Sequence, residues 1–250
     1  MSTLPSTCLI TGASGGVATA LAAHLRSEGW RLALAGRDRG RLDPEGDEIA
    51  IEADVSTEAG AQAALNAATD AFGDLPGAVV NCAGAVLIAP IGRTSEQQYR
   101  DCLSANLDTA FFVSRAYVTA LQARKRGGAL VLFSSVAASV GVANHAAIAV
   151  AKGGIEALAR SLAADFSSLG LRTNVIAPGL METPATAKFV SSDLARRAVS
   201  AQYPLGRHGA ADDAAALAAF LISPRAAWIS GQVIAVDGGF LAVRPTVKVN

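Results

Sequence analysis

The stretch TCLITGASGGVATALAAHL, residues 7–25, decides the fold of this chain. It begins with a short apolar run, TCLIT, of the kind that forms a strand covered on both faces of a sheet. A glycine-rich turn follows, and the apolar residues beyond the turn recur at helical spacing. A strand, a glycine turn and a helix in this order predict the first unit of a parallel α/β sheet.

The rest of the chain repeats this alternation. The strand candidates are 7–12, 31–36, 48–55, 77–84, 128–135, 172–179 and 232–239, and the helix candidates lie near 16–28, 57–72, 95–124, 145–168 and 211–222. This pattern predicts one parallel sheet with helices on both sides. The longest irregular stretch, residues 180–210, is here named the lid segment, because an insertion near the carboxyl ends of the strands usually covers a substrate.

Composition narrows the class of protein. Lysine plus arginine and aspartate plus glutamate number 21 each, so no net field would draw nucleic acid or an anionic membrane to the chain. Cys8, Cys82 and Cys102 lack metal-ligand spacing and indicate free thiols in a reducing compartment. The start of the chain lacks a secretory signal, and no apolar run approaches the roughly 18 residues of a membrane span. These features predict a soluble cytoplasmic protein.

The glycine turn has the spacing of a dinucleotide-binding loop. Gly12 permits the tight turn, and Gly16 lets the backbone approach a diphosphate that faces the helix N-terminus. Ala18 stands at the third position, where a small residue allows close packing of helix on strand. Any glycine-rich turn between a strand and a helix would match this pattern, but its place directly after the first strand favours a dinucleotide site.

The end of the second strand candidate, ALAGRDRGR, bears on the choice between NAD and NADP. Gly36 stands where an NAD site usually has an acid for the ribose 2′-hydroxyl, and Arg37 follows it. A guanidinium pairs bidentately with phosphate, so the pattern favours NADP(H) over NAD(H). Two alternatives stay open: Asp38 could reach the ribose, and Arg37, Arg39 and Arg41 could be solvated loop charges.

Further motifs follow in order along the chain. They are Asp54-Val55, the turn Asn81-Cys82-Ala83-Gly84, Asn106 in SANLDTAFFVSRA, Ser135 in LVLFSSVAAS, Lys152, NVIAPG with Thr183, and ISGQVIAVDGGF. Together with TGASGGVA, they make the chain resemble the single-domain short-chain dehydrogenase/reductase family from end to end. The resemblance implies a Rossmann-like, doubly wound parallel sheet of about seven strands in a three-layer α/β/α sandwich. It also implies one domain over residues 1–250, a nicotinamide cofactor, a small-molecule substrate, and a homotetramer or homodimer.

The resemblance assigns a set of cofactor-binding positions. In the family, the residues matching 54–55 hold the adenine edge, the turn at 81–84 lies beside the cofactor, and residues 178–183 line the nicotinamide. The implied set is Gly12, Ser14, Gly15, Gly16, Val17, Arg37, Asp54, Val55, Asn81, Ala83, Gly84, Lys152, Pro178, Gly179, Leu180 and Thr183. Cys82 replaces the second asparagine of the family's turn, and nothing nearby in the sequence would lower its pKa to make it a nucleophile.

The catalytic positions match the family with one exception. In the family, a serine orients the carbonyl, a tyrosine transfers the proton, and a lysine holds the nicotinamide ribose. Ser135 and Lys152 match the serine and the lysine, and Asn106 resembles the residue that supports a proton-relay water. The tyrosine position, four residues before the lysine, is Ile148, which cannot transfer a proton.

Other residues could supply the missing proton donor. His145 shares a helix face with Ile148 and Lys152 if the helix already includes it, and an ordinary imidazole pKa of about 6.5 suits proton transfer. Enoyl-thioester reductases of the same superfamily carry their tyrosine at this earlier spacing. Alternatively, His145 is a structural residue bonded to backbone, with Asn144 as the N-cap. Tyr203 could also reach in from the lid segment.

The resemblance and its one departure predict an NADP(H)-dependent oxidoreductase. Hydride would pass between nicotinamide and a small carbonyl or hydroxyl compound, with the proton handled by His145 or by water relayed through Asn106 and Lys152. Two alternatives stay open. One is reduction of a conjugated C=C bond in an enone or enoyl thioester, and the other is a non-catalytic nucleotide-binding subunit.

Overall fold

A computed structural model describes residues 7–244, so the outermost residues of the expected domain, 1–6 and 245–250, lie outside the described part. The strands are β1 (Thr7–Thr11), β2 (Arg31–Gly36), β3 (Ile49–Glu52), β4 (Ala78–Asn81), β5 (Gly128–Phe133), β6 (Leu171–Pro178), β7 (Met181–Glu182), β8 (Gly209–Ala210) and β9 (Val233–Val236). The helices are α1 (Gly16–Ser27), α2 (Glu58–Phe72), α3 (Glu96–Leu103), α4 (Thr109–Arg124), α5 (Ala146–Phe166), α6 (Asp193–Ser200) and α7 (Ala211–Ile222).

Seven strands form one parallel sheet in the order β3-β2-β1-β4-β5-β6-β9. Strand β1 lies between β2 and β4, and its Ile10 is in register with Leu34 on one side and Val80 on the other. The order of winding therefore reverses beside β1. The predicted Rossmann-like, doubly wound α/β fold with seven strands is confirmed. In such sheets ligands bind outside the carboxyl ends of the strands at this switch point.

Helices cover both faces of the sheet. Cys8 and Ile10 pack with buried residues of α1 and α7, whereas Leu9, between them in sequence, packs with α2, α4 and α5 on the opposite face. Alternate residues of a strand point to opposite faces, so a strand buried on both sides must be apolar throughout. Among the described residues, no helix is long and apolar enough to cross a membrane.

The single helix expected near 95–124 is in fact two helices. A π-helical turn, Ser104–Asp108, separates α3 from α4, and Asn106 lies buried in this turn. Its side-chain Nδ2 donates to the carbonyls of Cys102, at 2.9 Å, and Ala85, at 3.0 Å. Hydrophobic periodicity does not report such a turn, because a π turn adds one residue to the helical period without interrupting the run of helical residues.

The lid segment is more ordered than the sequence predicts. Strands β7 and β8 pair in parallel, with Met181 beside Gly209, and α6 lies between them in the chain. The hydroxyl of Ser192 accepts the N–H of Ala195 at 3.2 Å and caps α6. The prediction of an irregular segment was therefore wrong. Two-residue strands and an eight-residue helix are too short to produce a recognisable hydrophobic period.

Candidate active site

An open cleft of about 930 Å³ lies at the carboxyl edge of the sheet, beside the switch point. The expected cofactor residues that line this cleft are Gly12, Ser14, Gly15, Gly16, Arg37, Asp54, Val55, Ala83 and Gly84. Those that do not line it are Val17, Asn81, Lys152, Pro178, Gly179, Leu180 and Thr183. Gly179 and Leu180 instead line a smaller cavity of about 350 Å³.

The glycine loop forms one wall of the cleft. Gly12 has φ +66°, and a Cβ added there would lie 2.5 Å from the backbone N and Cα of Ala83, so only glycine fits. A Cβ on Gly16 would lie 3.0 Å from the side chain of Thr183, so the loop also contacts the lid segment. Helix α1 starts after Gly15 with no side-chain cap among the described residues. Free N–H groups at the start of a helix suit a diphosphate, so this loop fits a dinucleotide.

The far end of the cleft is basic. Arg37 and Arg41 both line it, and Arg37 is exposed. Asp38 also lines the cleft, and its carboxylate accepts the N–H of Gly40 at 3.0 Å. Gly36 also lines the cleft, and a Cβ there would lie 3.0 Å from the Leu42 side chain, so a larger residue would press on Leu42. This end of the cleft therefore offers two guanidinium groups beside an acid that is already hydrogen-bonded.

Asp54 is held in its ionised form beside the basic end. Its Oδ1 accepts the hydroxyl of Ser56 at 2.7 Å and the N–H of Ser56 at 3.1 Å. These hydrogen bonds, and to a smaller extent the charge of Arg37, lower the pKa of the Asp54 carboxyl below its ordinary value. The Asp54 carboxylate is thus fixed as a hydrogen-bond acceptor at the wall of the cleft.

Asn81 holds elements together beneath the cleft. Its Oδ1 accepts the hydroxyl of Thr11 at 2.5 Å, and its Nδ2 donates to the hydroxyl of Thr109 at 3.4 Å. The side chain is buried, which explains why it does not line the cleft. It links β1, β4 and α4 at the point where the expected cofactor turn, residues 81–84, begins.

Asn106, Gly84 and Lys152 meet at the inner end of the cleft. Besides its two donated bonds, the Asn106 side chain accepts the N–H of Ala85 at 3.3 Å, so it fixes the backbone that follows Gly84. A Cβ at Gly84 would lie 2.8 Å from Asn106 Oδ1 and 3.5 Å from Lys152 Nζ. Lys152 Nζ donates to the carbonyl of Phe133 at 2.9 Å. A small residue at 84 is therefore required for these two polar groups to converge.

Burial shifts the pKa values of Lys152 and of the nearby Cys82 and Cys102. Desolvation of the buried ammonium lowers the pKa of Lys152 to about 8, and Cys102 and Cys82 offset this only in part. Desolvation also raises the pKa of the Cys82 thiol to about 12 and that of Cys102 above its ordinary value. The thiols are neutral at pH 7, which agrees with the prediction that Cys82 is not a nucleophile.

Ser135 and Ile148 occupy different environments. Ser135 is half-buried directly after β5, and its Oγ accepts the N–H of Ala137 at 3.2 Å, so the hydroxyl proton stays available to a ligand. Ile148 is 6% exposed and belongs to a small apolar cluster with Cys102 and Ala151, against which Leu87 packs. The Ile148 position thus contributes packing and no ionisable group.

His145 lies at the start of α5 and outside the helix. It is the N-cap residue with φ −109°, and Asn144, with φ +64°, precedes the cap, so the expectation of Asn144 as the N-cap was wrong. The condition that the helix includes His145 is not met. Its Nδ1 lies 2.7 Å from the carbonyl of Ala143. A carbonyl only accepts, so Nδ1 donates in this contact and Nε2 is the ring nitrogen left for a ligand. His145 does not line the 930 Å³ cleft.

Tyr203 is held beneath the lid segment. Its phenol oxygen accepts the N–H of Leu180 at 2.7 Å, and its side chain lines the smaller cavity. A Cβ at Gly179 would lie 2.8 Å from the ring, so the ring packs directly on this glycine. The structure therefore places Tyr203 on the backbone of residues 179–180 and not in the cleft.

Comparison with known proteins agrees with this geometry. Residues 12–241 match a family model described as Enoyl-(Acyl carrier protein) reductase. The chain is 36% identical over 226 residues to a Xanthobacter autotrophicus protein named Inactive 2-(S)-hydroxypropyl-CoM dehydrogenase 2, with 86% of this chain and 96% of that protein covered. It is 34% identical over 248 residues to 2-(S)-hydroxypropyl-CoM dehydrogenase 3 of the same organism, covering 94% and 96%.

A solved structure of a short-chain type dehydrogenase/reductase from Mycobacterium ulcerans superposes with a TM-score of 0.88 at 29% identity, covering 96% of this chain and 91% of that one. The chain belongs to the short-chain dehydrogenase/reductase family. Members of this family are oxidoreductases that use nicotinamide cofactors, so the predicted class of protein is confirmed at that level.

Two features of this short-chain dehydrogenase/reductase were not assigned a role from the sequence. Arg41 joins Arg37 at the cleft, and the repeated arginines of RDRGR were the only signal for it. Ser134 donates to Glu156 at 2.8 Å and to the Lys152 carbonyl at 3.2 Å, which ties α5 to the end of β5. That bond joins residues 22 positions apart, so no local pattern could indicate it.

Proposed function

We propose that this short-chain dehydrogenase/reductase is an NADP(H)-dependent oxidoreductase acting on a small carbonyl or hydroxyl compound without a tyrosine proton donor. In the reducing direction a carbonyl compound, NADPH and one proton give the alcohol and NADP⁺. The convergence of Lys152 and Asn106 on Gly84, at the inner end of a glycine-walled cleft, carries this proposal. Burying an amine lowers the stability of the fold, so a protein that served only as a folded scaffold would gain nothing from Lys152 at this position.

The proposal assigns the cofactor to the 930 Å³ cleft. Its diphosphate would face the start of α1, its adenine would lie beside Asp54 and Val55, and its 2′-phosphate would pair with Arg37 and Arg41. The remaining proposed contacts are Pro178, Gly179, Leu180 and Thr183 at the nicotinamide end. When bound, the nicotinamide supplies or accepts the hydride, and the protein contributes position and electrostatics.

The proposed roles of the catalytic groups follow from their chemistry. Ser135 would orient the substrate oxygen through its hydroxyl proton, and Lys152 would hold the ribose. His145, through Nε2, or a water relayed through Asn106 and Lys152, would transfer the proton. The hydrogen bond of His145 Nδ1 to Ala143 supports the histidine, because it leaves Nε2 able to exchange a proton with a ligand.

Two other functions each have one supporting observation. The description of the matching family model favours reduction of a conjugated C=C bond in an enone or enoyl thioester. The name of the Xanthobacter relative, which includes the word inactive, favours a non-catalytic nucleotide-binding subunit. The buried polar junction at residues 84, 106 and 152 supports catalysis over the second function.

Oxidation of NADPH and of NADH, followed at the nicotinamide absorbance, tests the proposal on ketones, quinones, enones and enoyl thioesters. The protein is compared with His145→Ala and with His24→Ala, a matched control whose imidazole contacts Asp212 on the surface between α1 and α7. We expect turnover with ketones and NADPH that falls about 10²-fold or more only in His145→Ala. Equal turnover in all three would assign the proton to relayed water.

Different outcomes would support the other functions. Turnover of enones or enoyl thioesters without ketones would favour C=C reduction. Tight NADPH binding without turnover of any substrate class would favour the binding subunit and contradict the proposal. Faster reaction with NADH than with NADPH would contradict the role of Arg37 and Arg41.

We also propose that the protein is a cytoplasmic homotetramer or homodimer. Cys8, Cys82 and Cys102 are all free thiols, which supports a reducing compartment. Phe111 on α4 and Val150 on α5 are 48% and 54% exposed, which supports contact between copies through these helices. Light scattering during size-exclusion chromatography would measure the oligomeric state.

A further inference from the structure

Two loops without charged groups form the surface beside Ser135 and Lys152. They are residues 84–92, after β4, and residues 134–145, after β5, and neither contains Asp, Glu, Lys or Arg. The N–H of Ala89 donates to the carbonyl of Asn144 at 2.9 Å, so the two loops form one surface. Both loops leave the carboxyl edge of the sheet, where ligands bind in this class of fold.

This surface exposes four large apolar side chains, named here the apolar rim. Val86, Ile88, Ile91 and Val140 are 48%, 39%, 78% and 41% exposed. Val86 also lines the 930 Å³ cleft, so the rim is continuous with the proposed cofactor site. A grouped apolar surface next to a cleft is typical of a ligand-binding site, because covering it with a ligand removes the cost of its hydration.

Several charged groups of the lid segment bind one another. Glu182 accepts two hydrogen bonds from Arg196, at 2.7 and 2.9 Å, and lies 2.9 Å from His208. Arg207 forms a bidentate pair with Asp213 at 2.6 and 2.7 Å. The ammonium of Lys152 is buried on the Phe133 carbonyl. These side chains are already paired and offer no counter-ion to a charged substrate.

Three exposed cations are not part of these pairs: Lys188 and Arg197 in the lid segment, and Arg93 next to the rim in the chain. Lys188, in the lid segment, lies over the ring of Phe189 at 5.1 Å, which keeps its ammonium on its neighbour. Arg93 follows the rim residue Ile91 after one glycine and is exposed. A variant of Arg93 therefore belongs in any test of charge recognition.

We infer that the substrate is an uncharged carbonyl compound whose hydrocarbon part lies on the apolar rim. This inference rests on the proposed function. A carboxylate laid on these side chains would lose water without a charged partner in either loop, whereas an alkyl group would cover Val86, Ile88, Ile91 and Val140. The substrate class is thus set by apolar contact and by the absence of charge in the loops at 84–92 and 134–145.

The test compares 2-octanone with 7-oxooctanoate, which share the methyl ketone and the chain length but differ in a terminal carboxylate. We expect kcat/KM with NADPH to be about 100-fold or more higher for 2-octanone. Ile91→Asp and Val140→Asp are expected to lower kcat/KM for 2-octanone about 10-fold or more without changing the Kd for NADPH. Trp228→Asp is the control, since Trp228 is 99% exposed and precedes β9 at the opposite edge of the sheet.

Equal kcat/KM for the two compounds, or a preference for 7-oxooctanoate, would overturn the inference. A preference for 7-oxooctanoate that disappears in Arg93→Ala would assign recognition to Arg93 and overturn it as well. If neither compound is reduced, calorimetry on the NADP⁺-loaded protein decides. If 2-octanone binds to the natural protein but not to Ile91→Asp, the apolar rim is supported as the binding surface even though the proposed reaction has failed. Absence of 2-octanone binding to the NADP⁺-loaded protein would contradict the role of the apolar rim in binding the substrate.

Discussion

Position 148 is the residue on which the proposed chemistry depends. Ile148 lies four residues before Lys152 in the chain, on the same helix, and its side chain is 6% exposed within an apolar cluster. An alkyl side chain can pack there but cannot exchange a proton. The nearest imidazole in the chain, His145, lies outside α5, and the proposed function assigns the proton either to that ring or to a relayed water.

A tyrosine introduced at 148 tests this interpretation directly. We expect Ile148→Tyr to raise kcat for ketone reduction about 10-fold or more, because a general acid typically contributes about 10² to 10⁴-fold. The control is Ile148→Phe, which adds the ring without the hydroxyl and strains the cluster equally. A similar change in both variants would show that the phenol is not responsible.

At the scale of elements, the π turn between α3 and α4 connects the fold to the site. Asn106 lies in this turn and bonds both the N–H and the carbonyl of Ala85, in addition to the Cys102 carbonyl. A single buried amide therefore bonds a carbonyl of α3 and fixes the loop that begins at Gly84. The same loop continues into the apolar rim, so the position of the rim depends on this turn.

Removing the amide is expected to affect both stability and binding. Asn106→Ala should lower the free energy of unfolding by about 2–4 kcal/mol, because it leaves the buried groups of Ala85 and Cys102 without a partner. The Kd for NADPH should rise with it, as measured by calorimetry at a temperature where the variant is folded. Asn66→Ala on α2 removes only a surface bond to Gln62, so we expect less than about 0.5 kcal/mol. Equal losses in the two variants would contradict the role of the turn.

At the scale of the whole molecule, a buried amine lowers the overall stability of the fold. Lys152 is 9% exposed, and desolvation lowers its pKa from 10.5 to about 8 in the folded protein. Between pH 8 and 10.5 the unfolded chain binds more protons than the folded one, so stability rises with pH in that window. Below pH 8 the full penalty of the buried ammonium is present.

Lys152→Met should remove this pH dependence. Relative to the variant, the natural protein is expected to gain about 2 kcal/mol in free energy of unfolding between pH 7 and pH 10. Denaturant titrations at several pH values would measure the difference. Lys188→Met, which removes an exposed lysine of the lid segment, should show no such gain. Parallel pH profiles for the natural protein and Lys152→Met would contradict a buried, destabilised ammonium.

The sequence by itself determined the layers of the molecule and the place of the glycine loop. Apolar runs such as TCLIT, the helical period of α1, and the glycines at 12 and 16 are local patterns. The position of Gly12 followed from its sequence because its φ of +66° favours glycine, and a Cβ there would lie 2.5 Å from the backbone of Ala83. The number of residues between Ser135 and Lys152 is likewise read directly from the sequence.

Only the tertiary structure decided which side chains meet. The contact of Tyr203 with Leu180, the bond of Ser134 with Glu156 and the pairing of Glu182 with Arg196 and His208 join distant or irregular parts of the chain. Such contacts depend on how helices and loops pack on the sheet, which no local period records. The start of α5 after His145 was decided in the same way, because the ring of His145 bonds backbone outside the helix.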